Sequence, residues 1–214
     1  MSVRRRSIVY SGAIPSIVYT DNGQDAGAVT THTFTGKSIG AASPTRTVLV
    51  LARYSSTSTT FSCTIGGNAA TLVASFSLGT ATHLRLFALN VPTGTTATIV
   101  TTSNASGDVF IAVAAAYDLL STTPTATNGV YSGASSPTAD LSLNVAANGV
   151  AFGYATFNTS GTFVWTGMTE QLDTTISSIS HTVATYTATG AQSPLSVTVT
   201  RSANGCFGLS ASFR

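Results

Sequence analysis

The sequence predicts an all-β protein, an antiparallel β-sandwich of jelly-roll-like form over residues 46–214, preceded by an extended N-terminal arm with edge segments over residues 1–45. Two observations carry this reading. Ser and Thr make up roughly 30% of the chain and interleave with Ala, Val and Leu, whereas helix-favouring Lys, Glu and Met nearly vanish. Short alternating or wholly apolar runs recur at about ten-residue spacing, separated by Gly, Pro, Asn and Ser clusters.

Taken in order, the chain begins with Arg4, Arg5 and Arg6, followed by the repeat "SIVY" at 7–10 and 16–19. Two copies are too few for a solenoid. They read either as short edge strands joined through Ala13-Ile14-Pro15, or as an arm docking Ile8, Tyr10, Ile17 and Tyr19 into a neighbouring subunit. Strands are expected at 46–54, 60–65, 69–76, 83–90, 95–102, 109–117, 141–145, 149–157, 162–166, 182–187, 195–201 and 207–213. "TVLVLAR" and "VFIAVAAAY" are apolar on both parities, as in central strands covered on both faces; the β-branched start of the second favours strand over helix. In "PLSVTVTR", Leu195, Val197 and Val199 share a face and leave the other wet. Gly66-Gly67 reads as a hairpin corner, and "NVPTGTTATIV" and Asn148-Gly149 as hairpin-like connections. The patternless stretch 121–138 reads as a crossover between two halves of the sheet system.

Composition excludes several function classes. Mean hydropathy is +0.31, yet no run approaches eighteen apolar residues, so no membrane span is expected. Net charge is +2. Three arginines on phosphates would give a salt slope of only about −2.7, too shallow for a specific nucleic-acid binder. The basic start is followed by Ser11, Gly12, Pro15 and Ser16, a poor secretory core, so synthesis in the cytoplasm is expected. A chain of this length buries roughly 70% of its unfolded surface without staples. Cys63 and Cys206 fall on different faces relative to their neighbouring apolar sets, which disfavours a bridge.

Catalytic chemistry is sparse, and no catalytic, cofactor-binding or metal residue is assigned. "GKSIG" matches a nucleophile elbow, but "AASPTR" follows where a helix is required. Gly66-Gly67 lacks the Lys and the helix of a phosphate loop. His32, His83 and His181 have no neighbouring acid in sequence and read as strand residues. Asp21, Asn22 and Asp25 in "TDNGQDAG" offer hard oxygens of the kind calcium takes, with an Asx-type turn as the plainer reading. Trp165, near the single glutamate Glu170, reads as a buried ring closing the sandwich. Trp165, Tyr154 and Tyr186 are the aromatics available for a glycan contact.

Three stretches carry a resemblance: "TFSCTIGGNAATLV", "LRLFALNVPTGTTATIVTTS" and "VFIAVAAAYDL". With "DLSLNVAANGVAFGYATF", "FVWTGMTEQLD" and "GCFGLSASFR", they resemble a β-sandwich domain of virion proteins of tailed bacteriophages and prophages, over most of 46–214. The resemblance implies a non-enzymatic structural component exposed on the particle, such as a head decoration, head fibre or spike, or tail accessory protein. It implies assembly in the bacterial cytoplasm, contacts with other virion proteins and homo-oligomerisation, and carries no catalytic residues. A carbohydrate-binding module recognising host surface glycan and a jelly-roll capsid protein are the alternatives.

Overall fold

The computed structural model describes residues 12–214, and its regular elements are all strands. The first sheet contains β1 (Ser16–Ser38), β2 (Thr47–Ser55), β3 (Phe61–Ile65), β4 (Asn68–Ala69), β5 (Thr71–Leu78), β6 (Thr82–Asn90) and β7 (Thr96–Tyr117). Its order is β4-β3-β7-β2-β6-β5, with β1 running antiparallel along the length of β7. On the other side of β7, β3 pairs from Ile99 to Ser103 and β2 from Asp108 to Ala116.

The β1/β7 ribbon is folded double. Asp21 and Lys37 would lie about 50 Å apart on a straight strand. Their side chains instead meet at 3.4 Å, and the Ser38 N–H donates to the Asp21 carboxylate at 2.8 Å. The fold lies where the ladder loses register, around Val29 opposite Gly107. A Cβ on Gly107 would come 2.1 Å from the Ser55 carbonyl oxygen, so only glycine fits that corner.

The second sheet is β13 (Thr169–Ile176), β14 (Ile179–Thr187), β11 (Val150–Phe157), β17 (Phe207–Phe213) and β8 (Ala126–Tyr131), in that order. Its outer face is covered by two small sheets. One runs β12 (Phe163–Thr166), β16 (Thr198–Arg201), β9 (Thr138–Asp140), and the other pairs β10 (Leu143–Val145) with β15 (Gln192–Leu195).

Three apolar cores result, and strand parity assigns residues to them. On β7, Phe110, Ala112, Ala114 and Ala116 face the second sheet and meet Phe152, Tyr154, Leu209 and Phe213. The alternate residues Val109, Ile111 and Val113 face the folded-over half of the ribbon, meeting Phe34, Cys63, Ile65 and Ile99. The third core lies outside the second sheet, where Ala151 and Ala155 meet Phe163, Trp165, Val197 and Val199. The antiparallel sandwich expected from the sequence is the architecture found. "TVLVLAR" and "VFIAVAAAY" are strands covered on both faces, and Leu195, Val197 and Val199 are buried.

Several local expectations are corrected. Residues 16–38 join the sheet as β1, so most of the segment read as arm and edge is an edge strand; residues 1–11 lie outside the described residues. The expected strands at 95–102 and 109–117 are one continuous strand. "NVPTGTTATIV" is not a hairpin, because β6 and β7 both flank β2 and the connection crosses over it. Asn148 has φ 57° and Gly149 N–H donates to Ala146 C=O, so a turn is present, but it joins strands of different sheets. The 121–138 stretch carries the chain from the first sheet to the second and contributes β8 on the way. Gly66 and Gly67 have φ 59° and 81° and link the paired residues Ile65 and Asn68, the geometry of a two-residue type I′ hairpin.

The two thiols lie in different cores, Cys63 between the ribbon halves and Cys206 outside the second sheet, and both are free. Burial pushes each up to about 12, so both stay protonated at neutral pH.

Candidate functional site

A buried polar cluster sits where the first sheet meets the second. Arg53, at the end of the apolar run of β2, is buried; its guanidinium donates to the Asp108 carboxylate at 3.0 Å and to Asn158 Oδ1 at 2.6 Å. Asp108 comes from β7, and Asn158 follows β11, so one side chain ties two sheets. Beside it His181 stacks on Phe110 with ring centroids 3.9 Å apart, and its Nδ1 lies 2.6 Å from the Tyr154 hydroxyl. Burial, reinforced by the nearby Arg53 charge, pushes His181 down to about 3. His181 and Tyr154 are both fully enclosed, so this neutral pair has no solvent path to a substrate and acts as packing.

His181 carries a pH prediction. Its folded value lies below the ordinary 6.5, so the unfolded chain binds the extra proton, and stability falls as pH drops from 6.5 toward 3. Wild-type protein is expected to lose about 2–3 kcal/mol between pH 7 and pH 4.5 in denaturant titrations. His181→Gln should lose most of that slope. His83, lowered by burial and then by Arg85, leaves a smaller remainder of the same sign.

The other buried arginines are also structural ties. Arg46 donates to the main-chain carbonyls of Gly40, Val91 and Thr93 at 2.7–2.8 Å. Arg201 donates to the carbonyls of Thr159, Ser160 and Asn204 and lies over the Phe157 ring. Lys37, the single lysine, bonds the Asn22 carbonyl across the folded ribbon. Most of the cations among the described residues are thus bound to the protein itself, and among these residues no basic patch remains.

Asp21, Asn22 and Asp25 do not form a calcium-type turn. They lie on β1, paired with Val113, Ala112 and Val109. Asp21 accepts from the N–H groups of Asn22 and Ser38, while Asp25 accepts from Gly27 N–H and sits 3.0 Å from His32 Nδ1. The Gly27 bond, then His32, holds the Asp25 carboxyl below its usual range. His32 thus has an acid partner that the sequence spacing concealed, because the bulges of β1 bring position 25 back to position 32. Ser38 of "GKSIG" lies on a strand, with its N–H and C=O both occupied. Among the described residues no group of three or more His, Cys, Asp or Glu side chains is arranged to hold a metal ion.

Two of the three candidate glycan aromatics are enclosed. The Trp165 ring lies against Gly153 of β11, where a Cβ would come 2.9 Å from it, and its Nε1 donates to Thr182 Oγ1 at 2.8 Å. Tyr154 is fully buried, and Tyr186 is half-buried against the outer core. Neither Trp165 nor Tyr154 offers a ring face to a sugar. Of the candidate docking residues, Ile17 is buried in the inter-sheet core and Tyr19 packs on it, because β1 pairs Ser16 with Tyr117 and turns both inward. Arg4, Arg5, Arg6, Ile8 and Tyr10 lie outside the described residues.

Two open hollows are found among the described residues, one of about 300 Å³ between Phe61 and Asn104 and a larger one at the end where residue 12 begins the described chain. The larger, of about 420 Å³, is bounded by residues 12–15, Leu120, Asn148 and Arg214. Ile14 and Leu120 stand 63% and 78% exposed at it, the largest such values among the exposed large apolar residues except Val164.

Fold and site together define an all-β scaffold whose titratable groups mostly serve as internal ties. Compared with known proteins, the chain matches no protein-family model, and no curated protein matches it significantly.

Proposed function

We propose that this chain is a non-enzymatic structural component of a phage or phage-like virion, displayed on the particle and attached through its N-terminal end. The observation that carries the reading is the contrast between the two kinds of surface. Arg46, Arg53 and Arg201 are turned inward as ties, whereas the end where residues 1–11 join carries exposed Ile14 and Leu120 around a hollow. The resemblance of the "IGGNAAT" and "VPTGTTATIV" stretches to virion β-sandwich domains supports the same reading. Pro15 and Ile17 are buried, so a truncation that removes residues 1–11 leaves both in place and spares the fold. In purified particles the chain is expected at a fixed copy number relative to a shell protein, read by quantitative mass spectrometry. Trace, variable amounts would contradict the reading.

A further inference from the structure

We propose that Ser77 is a modification site, an activated serine hydroxyl that takes an acyl group from an activated ester or thioester. Ser77 and His83 lie directly opposite each other on the β5/β6 hairpin, with Ser75 opposite Arg85. Leu84 and Leu86 face the inter-sheet core, so alternation turns His83 and Arg85 to the other face, beside Phe61. There Ser77 Oγ lies 2.9 Å from His83 Nδ1 and accepts from Arg85 Nη2 at 3.1 Å. Ser77 is exposed, whereas His83 is buried. A reagent therefore reaches the hydroxyl, and the ring behind it is fixed by packing.

The partners of the imidazole set its tautomer. His83 Nε2 lies 3.1 Å from the Ser56 carbonyl oxygen, which can only accept, so Nε2 carries the hydrogen. Nδ1 is then the bare nitrogen: Arg85 Nη2, which can only donate, faces it at 3.3 Å, and the Ser77 hydroxyl donates to it. This is the serine–imidazole arrangement of an activated nucleophile, with a main-chain carbonyl orienting the base in place of a carboxylate. Burial, then the Arg85 charge, lowers His83 below its usual range, which keeps the ring in its basic form at neutral pH. Arg85 is itself fixed by the Phe76 and Leu84 carbonyls and lies over the Phe61 ring. Its charge stands where negative charge develops on Oγ.

Ser77 Oγ bonds to the acyl carbon as its proton passes to His83 Nδ1. The bond from that carbon to the leaving oxygen or sulfur breaks, and the leaving group takes the electron pair and then the proton. The product is one ester per chain, a stoichiometric modification that stands beside the non-enzymatic reading and does not rest on it. It is read on isolated protein without particles, so the two proposals fail separately.

The test treats the full chain with p-nitrophenyl acetate and maps the acetyl groups by peptide mass spectrometry. Ser77 is expected to be acetylated about 100-fold faster than the other exposed serines, the order of a general-base contribution. That advantage should vanish in His83→Gln and in the urea-unfolded wild-type chain. Ser77→Ala, at an exposed position, should abolish the fast release of nitrophenolate with the melting temperature little changed. Acetylation of Ser77 at the rate of other serines, with label on Lys37 or the N-terminal amine instead, would overturn the inference. A fast Ser77 rate that survives unfolding, or that survives His83→Gln in folded protein, would overturn it as well.

Discussion

Arg53→Ala is expected to lower the unfolding free energy by about 3–5 kcal/mol, because the substitution leaves a buried acceptor set without its donor. The guanidinium side chain is 1% exposed and the Asp108 side chain 23%, so the effect should fall toward the lower end of that range. For a chain of this size the melting temperature drops by roughly 6–12 °C. Arg53→Lys recovers only part of this, since a single ammonium cannot reach Asp108 and Asn158 with the two arms of a planar fork. Arg53→Ala and Asp108→Ala should combine less than additively, as members of one network. The Arg53 charge also helps hold His181 neutral, so its removal should soften the acid sensitivity described above.

Trp165→Ala is the second large effect, about 3–5 kcal/mol, from a cavity opened between Gly153, Met168 and the covering strands. Thr182 also loses the indole N–H it accepts. Trp165→Phe should cost less, since it keeps most of the apolar contact. Thermal denaturation and glycan binding separate the two roles the sequence allows for this residue. The burial seen here predicts a large drop in melting temperature and no sugar binding to lose. Lost glycan binding at unchanged stability would mean that the ring serves a ligand.

The parts of the fold that were legible in the sequence are those fixed by local pattern. The double-sided burial of 47–53 and 109–117 follows from apolar residues on both parities. The Gly66-Gly67 corner follows from two positive-φ positions in a two-residue loop. The separation of the two thiols could also be read from alternation, and the burial of Trp165 from the expectation of one large ring closing the sandwich. β1 was hidden because its middle, "TDNGQDAGAVTTHT", is polar and Gly-rich: much of it lies on the surface and is held by backbone pairing with β7. The doubling of the β1/β7 ribbon rests on contacts such as Asp21 with Lys37, which no local pattern encodes.

The arginine ties were half-visible. Arg53 in "LVLARY" and Arg201 in "VTVTRS" each place a lone charge at the end of an apolar strand run in a chain with only 7% charged residues. A charge in that setting is either solvated at an edge or buried against carbonyls, and sequence alone does not choose. The structure places both among main-chain and side-chain acceptors, so the scarcity of charge and the burial of charge have a common outcome. The outer surface is left mainly to Ser, Thr and backbone groups.

The central claim is a virion component attached through its N-terminal end. It is tested most directly by the copy number of the full chain and of residues 12–214 in purified particles, measured side by side. The account predicts a fixed copy number for the full chain and near-complete loss for the truncated one, with the melting temperature of the isolated truncated protein little changed. Equal incorporation of both, or absence of the full chain from particles, would contradict it.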